Sequence, residues 1–331
     1  MKDLQKQLAA LIENRLSGIS FPETPRTLYD PIRYTLGNGG KRLRPYITLL
    51  AAGMNGGEPE EAVPAALAVE MLHNFTLIHD DIMDGAETRR GMPSVYKKWD
   101  TNTAILSGDA LFSSAYEQLN FYGHSERYSK ATYHAIIEKF LQATRIVCEG
   151  QALDMEFEAN NEISVDEYLN MIGKKTAQML SSALQMGGLV GGADPTQLDH
   201  LESLGKEAGI AFQIQDDLLD AVGTSGSTGK RVGGDIAEGK QTYLSILARQ
   251  KGSKEQVSRL NCVLAKRDEE VTEEEIREII QLYRQLNVVE ETRDAINSFY
   301  DSARRHLNAF QDSPYKTNMD GFLSRLTQRD S

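Results

Sequence analysis

Apolar residues return every three to four positions along most of the chain, and no segment sustains the period-two alternation of a half-buried strand. From Met1 to Gly18 the apolar set is Leu4, Leu8, Leu11, Ile12 and Leu16, one face of a helix. Thr24 and Pro25 predict an N-cap and first position for a second helix, with Pro31 as a kink or restart and Gly37-Asn38-Gly39-Gly40 as its stop. A third begins near Pro45, a loop covers Gly53 to Pro59, and a long Ala- and Leu-rich helix runs from Glu60 to Asp84. Helical periodicity resumes over Thr101 to Phe121, Arg127 to Glu158 and Ser164 to Leu189, the last opened by a capping box of Ser164 and Glu167. Asp194-Pro195 starts another helix, and Thr272 with Glu275 caps one more before the segment that runs up to Phe310. Gly223 to Gly234 is rich in Gly and Ser and predicts a mobile loop. The pattern predicts an all-α fold, and the absence of any linker longer than that loop predicts a single domain over residues 1–331.

Composition excludes several function classes. With 331 residues, 40% hydrophobic and 25% charged, the chain has the make-up of a soluble globular protein. Its net charge of −12 argues against a nucleic-acid partner held through backbone phosphates. Cys148 and Cys262 stand far apart, outside any C-x-x-C spacing, which fits a reduced compartment and no structural zinc. Met1 to Leu16 is charged and lacks the apolar core of a signal peptide. No apolar run reaches the ~18 residues needed to span a bilayer, so the expected location is cytoplasmic.

Charge matters most where it clusters. The run Leu77 to Asp84 ends in D-D-x-x-D (Asp80, Asp81, Asp84), and the run Phe212 to Asp220 repeats it (Asp216, Asp217, Asp220). On a helix the first and last aspartates project from one face, where like charges cost a few tenths of a kcal/mol, roughly. The first motif also falls at the negative pole of its helix, which sharpens the need for a cation. Hard divalent ions prefer oxygen ligands, and Mg2+ is often held by one or two carboxylates while substrate phosphates complete its shell. Basic groups stand close by in sequence: Lys41, Arg42 and Arg44 after a diglycine, Arg89-Arg90-Gly91 just beyond the first motif, Lys174-Lys175-Thr176 in a predicted helix, and Lys230 and Lys240 in and after the glycine loop. Arg offers phosphate a planar fork and Lys a point charge. The pairing implies two phosphate sites, one bridged by metal and one gripped directly. Taken singly, each feature has an ordinary explanation: a solvated acidic helix end, a solvated basic turn, or, for His73, a satisfied core histidine.

The combination resembles a known family. The motifs G-G-K-R-L-R-P, D-D-I-M-D, R-R-G, G-D-A-L-F, G-Q-x-x-D at Gly150 to Asp154, K-T at Lys175 and Thr176, F-Q-I-Q-D-D-L-L-D, and G-K-x-x-G-x-D-x-x-x-G-K-x-T-Y resemble, in order, those of the trans-isoprenyl diphosphate synthases or polyprenyl synthetases. They span Gly39 to Tyr243. The resemblance implies a single large helical bundle of the isoprenoid synthase type with its active site in a central cavity, working as a homodimer. It implies that Asp80 and Asp84 bind two Mg2+ ions and Asp216 a third, all bridging the diphosphate of an allylic substrate, with Asp81, Asp217 and Asp220 in support. Arg89, Lys175, Lys240 and Lys230 would hold that diphosphate; Lys41, Arg44, His73 and Arg90 would bind isopentenyl diphosphate; Thr176 and Gln213 would line the reaction centre.

The resemblance also bears on product length. Phe75, five residues before Asp80 and ~7.5 Å along the helix, is the expected floor of the chain cavity, with the small Thr76 beside it. That pair resembles short-chain enzymes and favours geranylgeranyl over farnesyl diphosphate, while Ser113 and Ser114 on a neighbouring helix are small enough to leave room. Ser94, Tyr96 and Leu244 depart from the family pattern without removing an expected ligand. A catalytically silent subunit of a heteromeric synthase and a terpene cyclase of similar fold are the competing readings. Both aspartate motifs are intact, and Lys41 and Arg44 are present, which argues against each.

Overall fold

The computed structural model describes residues 2–158, 162–223, 232–266 and 270–328. In chain order its helices are α1 (Lys2–Ser17), α2 (Arg26–Gly37), α3 (Leu43–Met54), α4 (Val63–Met83), α5 (Val95–Lys98), α6 (Thr101–His124), α7 (Lys130–Glu158) and α8 (Val165–Ile172). They continue as α9 (Gln178–Gly191), α10 (Pro195–Val222), α11 (Gly234–Ala237), α12 (Tyr243–Lys251), α13 (Lys254–Leu264), α14 (Glu273–Gln285), α15 (Val288–Leu307) and α16 (Pro314–Thr327). Among the described residues the extended structure is one hairpin, β1 (Thr88–Arg89) against β2 (Met92–Pro93). The fold is all-α, as the periodicity predicts, and no described helix is long and apolar enough to cross a membrane.

The chain divides into two compact units. One comprises Met1–Thr144, Ser181–Glu202 and Leu307–Asp320, and the other Arg145–Leu180, Ser203–His306 and Gly321–Ser331. In the first, α4 and α6 lie side by side, and α2 and α3 pack on them. The stripe Leu8, Ile12 and Leu16 of α1 is buried, each side chain contributing about 1.5–3 kcal/mol. Gly108 brings α6 close to α4, since a Cβ there would lie 2.4 Å from Nε2 of His79. Asp100 caps α6 by accepting from the Thr103 amide at 2.9 Å.

In the second unit Tyr168, Tyr283, Tyr300 and Ile279 are fully enclosed. Tyr300 donates to Oε1 of buried Gln215 at 3.0 Å, which pins the interior face of α10 beside the second aspartate motif. Both predicted capping boxes are present, Ser164 with Glu167 and Thr272 with Glu275.

Some boundaries differ from the sequence reading. Pro31 neither kinks α2 to a stop nor restarts it, because the helix runs through it and buries Pro31, Ile32 and Leu36. The residue before α2 is Pro25, with a cis bond to Thr24, and no side chain caps that end. α3 begins two residues before Pro45, which sits in the first turn where its missing N–H costs nothing. The stretch from Ser164 to Leu189 is interrupted by a π-helical turn, Gly173–Ala177, that contains Lys174, Lys175 and Thr176.

Candidate active site

The first aspartate motif closes α4. Asp84 is its C-cap, donating its amide to the Asp80 carbonyl at 2.8 Å, so the two carboxylates leave neighbouring turns of one face. Asp84 is exposed and Asp80 half-buried, whereas Asp81 is only 3% exposed. Asp81 is engaged elsewhere: Nε and Nη2 of Arg89 both donate to its Oδ1, at 2.8 and 2.5 Å. Burial raises the Asp81 pKa, Asp84 adds to the rise, and Arg89 opposes it. Arg89 reaches this position from the end of β1, just before a two-residue turn in which Arg90 (φ 55°) and Gly91 (φ 75°) both take positive φ, as a type I′ hairpin requires.

That turn sends Arg90 the other way, and its Nη1 donates to the carbonyl of Gly39. A Cβ on Gly40 would lie 3.1 Å from the guanidinium carbon, so glycine at this position (φ 146°) lets the arginine seat against the loop. Arg90 then shares with Lys41, Arg44 and His73 a cavity of about 500 Å³ that Arg42 and Glu70 also line. All four residues expected to take isopentenyl diphosphate thus lie together.

Arg42 is the exception within its own cluster. It is 7% exposed and in the left-handed region (φ 45°), a conformation costing roughly 1–2 kcal/mol. Its Nη1 donates to Glu70 at 2.7 Å, its Nε to Glu13 at 3.1 Å and its Nη2 to the Leu36 carbonyl at 2.7 Å. Nη1 of Arg44 lies 3.2 Å from Nε2 of His73, and arginine can only donate, so that imidazole nitrogen accepts. Burial, followed by the charges of Arg44, Arg90, Arg89 and Arg42, holds the His73 pKa well below the usual 6.5. His73 is therefore neutral.

The second motif lies on α10, beside a cavity of about 90 Å³ lined by Asp154, Tyr168, Lys175, Thr176, Gln213, Asp217, Asp235 and Lys240. The π turn brings Lys175 and Thr176 to this cavity, while Lys174 pairs with Glu149 at 3.0 Å; such turns are common at functional sites. Lys175 pairs with Asp154. Thr176 donates to the Gln213 amide oxygen at 2.9 Å, and Gln213 in turn donates to Asp217 at 3.1 Å. Tyr168 holds the other Asp217 oxygen at 2.5 Å. Burial, and then the neighbouring Asp235, push the Asp217 pKa up to about 8. Asp220 accepts the Asp235 amide at 2.8 Å, and Lys240 pairs with Glu238 at 2.8 Å. Asp216 is half-buried. Lys230 and most of the predicted glycine loop lie outside the described residues.

Phe75, also on α4, is half-buried and meets His79 edge-on with ring centroids 4.7 Å apart. Its other neighbour is Phe112 of α6 at 5.5 Å, which stacks in turn on Phe140 at 5.9 Å. Ser113 is exposed, so the α6 residue against Phe75 is Phe112. Thr76 turns its hydroxyl back to the His73 carbonyl at 2.8 Å.

From the sequence Arg42 reads only as one more basic group for phosphate, and Glu70, Phe112, Tyr168, Asp154 and Asp235 have no expected role of their own. Asp154 and Asp235 belonged to recognised motifs, and Phe112 closes G-D-A-L-F, so each carried a signal; Tyr168 carried none beyond its amphipathic helix.

A family model described as polyprenyl synthetase matches residues 25–283. Over 281 residues the chain is 40% identical to a short chain isoprenyl diphosphate synthase of Methanothermobacter thermautotrophicus, covering 85% of each. Over 247 residues it is 38% identical to a geranylfarnesyl diphosphate synthase of Natronomonas pharaonis, covering 70% of this chain and 71% of that one. A crystal structure of a geranylgeranyl pyrophosphate synthase superposes with a TM-score of 0.91 at 39% identity, over 99% of each chain. The chain belongs to the polyprenyl synthetase family and is an isoprenyl diphosphate synthase, a prenyltransferase.

Proposed function

We propose that this chain joins isopentenyl diphosphate head-to-tail to an allylic diphosphate in a Mg2+-dependent reaction, releasing pyrophosphate and an all-trans product of twenty carbons. The observation that carries this reading is the basic cavity of Lys41, Arg44, His73 and Arg90, large enough at about 500 Å³ for a diphosphate gripped without metal. A terpene cyclase, with one diphosphate to handle, has no use for such a site. The donor set of Asp80, Asp84 and Asp216 is all carboxylate oxygen, which suits Mg2+. Among the described residues no three His, Cys, Asp or Glu side chains form a closed metal cage. That is compatible with an ion whose shell is completed by water and substrate phosphate. When bound there, three Mg2+ ions on the family pattern would neutralise charge on the departing diphosphate.

The chain's own side chains supply the rest. Arg89, Lys175 and Lys240, with Lys230 on the family pattern, counter the charge that grows on the leaving group as the allylic carbocation forms. Asp81 and Asp154 hold two of those cations extended beforehand. The Thr176 and Gln213 oxygens face the cation, and their mutual hydrogen bond fixes their direction. Lys41, Arg44, His73 and Arg90 orient the isopentenyl double bond for attack, after which a proton passes to the released pyrophosphate. We read residues 1–331 as one synthase domain that works as a homodimer in the cytoplasm. The test is to incubate the purified chain with isopentenyl diphosphate, Mg2+ and each allylic starter in turn. A twenty-carbon product is expected; absence of product from the chain alone would mark it a silent subunit, and another length would overturn the length assignment only.

A further inference from the structure

We propose that Arg42, clamped by Glu70, is a positioning residue that sets the geometry of the isopentenyl diphosphate cavity. This rests on the reading of that cavity given under Proposed function. Arg42 stands between two expected ligands, Lys41 and Arg44, yet turns inward and spends all three of its donor directions on Glu70, Glu13 and the Leu36 carbonyl. A solvated basic turn needs none of this. Its positive φ is held where α3 begins, and its carbonyl accepts the Tyr46 amide at 3.1 Å, so the direction of Arg42 decides where Arg44, the second residue of α3, emerges.

Glu70 is 2% exposed and lies on α4 one turn before His73. Asn74, fully buried, donates to the Glu70 carboxylate at 3.1 Å and to its carbonyl at 2.7 Å, which fixes the carboxylate against its own helix. One ion pair therefore joins the segment bearing Lys41 and Arg44 to the helix bearing His73. The Arg44 to His73 contact at 3.2 Å is the register that this pair enforces. Glu70 also lines the cavity, so a second effect opposes the first: removing its charge raises the positive potential that a diphosphate meets. Positioning and potential thus predict opposite signs for one substitution.

The experiment compares Glu70→Gln and Arg42→Lys with Lys41→Ala and Arg44→Ala, measuring kcat and KM for each substrate beside thermal unfolding. Glutamine keeps the shape and one acceptor without the charge, and lysine keeps the charge but has one compact ammonium in place of the planar fork that reaches Glu70, Glu13 and the Leu36 carbonyl from three nitrogens. The expected result for both clamp variants is a KM for isopentenyl diphosphate raised about tenfold or more, with kcat and the allylic KM within about twofold. An unchanged or lower isopentenyl KM, a loss spread evenly over both substrates, or failure of both variants to fold overturns the positioning role. If Lys41→Ala and Arg44→Ala raise that KM while the clamp variants do not, the clamp fails and the cavity reading stands. If none of the four raises it, the cavity reading fails and the clamp with it.

Discussion

Arg89 closes on a single oxygen of Asp81, through Nε at 2.8 Å and Nη2 at 2.5 Å. The middle residue of the first D-D-x-x-D is thereby occupied in holding a hairpin, and it is far more deeply buried than Asp80 and Asp84 at the same helix end. The buried carboxylate of Asp81 thus orients Arg89, the first cation that follows it in sequence.

Asp81→Ala should therefore be a stability variant before it is a catalytic one. It removes two hydrogen bonds to a charged group, worth ~1–3 kcal/mol. Because the Arg89 side chain is 37% exposed and can rehydrate, the loss belongs at the lower end. Urea unfolding of wild type and variant, compared at their midpoints, measures it. An unshifted midpoint would remove the structural task from Asp81.

His73 predicts a pH dependence with a definite sign. Its folded pKa is depressed, so as pH falls through about 6.5 the unfolded chain takes up a proton that the folded chain refuses. Stability is full above that pH and declines below it until the folded pKa is reached, at up to ~1.4 kcal/mol per pH unit for one group. His73→Gln, which still offers Arg44 an acceptor, should flatten this slope. Denaturant unfolding between pH 7 and 5.5 compares the two, and equal slopes would show that His73 does not refuse the proton.

The helical fold and the grouping of cations with carboxylates were legible in the chain because periodicity and charge clustering are local. Capping boxes are local too, and Ser164 and Thr272 behaved as read. What remained hidden depended on partners distant in sequence. Nothing within Lys41-Arg42-Leu43-Arg44 says which cation turns inward; Glu70 decides that, from another helix. The π turn at Gly173–Ala177 reads as plain helix, since one extra residue per turn hardly disturbs an apolar stripe. Pro31 argued locally for a break, and burial of Pro31, Ile32 and Leu36 overrode it. Ser113 and Ser114 have the size to leave room past Phe75, but nothing local says that the α6 ring meeting Phe75 is Phe112.

Product length should answer to two rings. Phe75 and Phe112 meet from α4 and α6 with ring centroids 5.5 Å apart, so a floor built on Phe75 would rest on Phe112 as well. Phe75→Ala should lengthen the product by at least one isoprene unit, and Phe112→Ala should do so as well, since it withdraws the support behind Phe75. Chromatography of the dephosphorylated products reads this directly. Products of wild-type length from both variants would place the floor elsewhere.

Gly150→Ala should damage the second cavity from outside it. An added Cβ would lie 2.2 Å from the Lys175 amide nitrogen and 2.6 Å from its Cα, and backbone cannot step aside as a flexible side chain can. Either α7 or the π turn must move, at ~1–3 kcal/mol or more. Lys175 and Thr176 are carried on that turn, so kcat should fall along with the thermal midpoint. A variant that melts lower yet turns over normally would separate the turn from catalysis.

Asp80→Ala and Asp216→Ala should behave in the opposite way to Asp81→Ala. Neither residue is deeply buried, unlike Asp81, so turnover should suffer far more than the unfolding midpoint. Turnover should drop on the order of a hundredfold, ~3 kcal/mol, by analogy with loss of one transition-state contact. Chelation with EDTA should abolish wild-type activity and excess Mg2+ restore it. In both aspartate variants the Mg2+ concentration for half-maximal rate should shift upward, a change that a packing defect would not produce. Near-normal turnover in either purified variant, with an unshifted Mg2+ dependence, would remove that aspartate from the metal set and leave its position on the helix without a purpose.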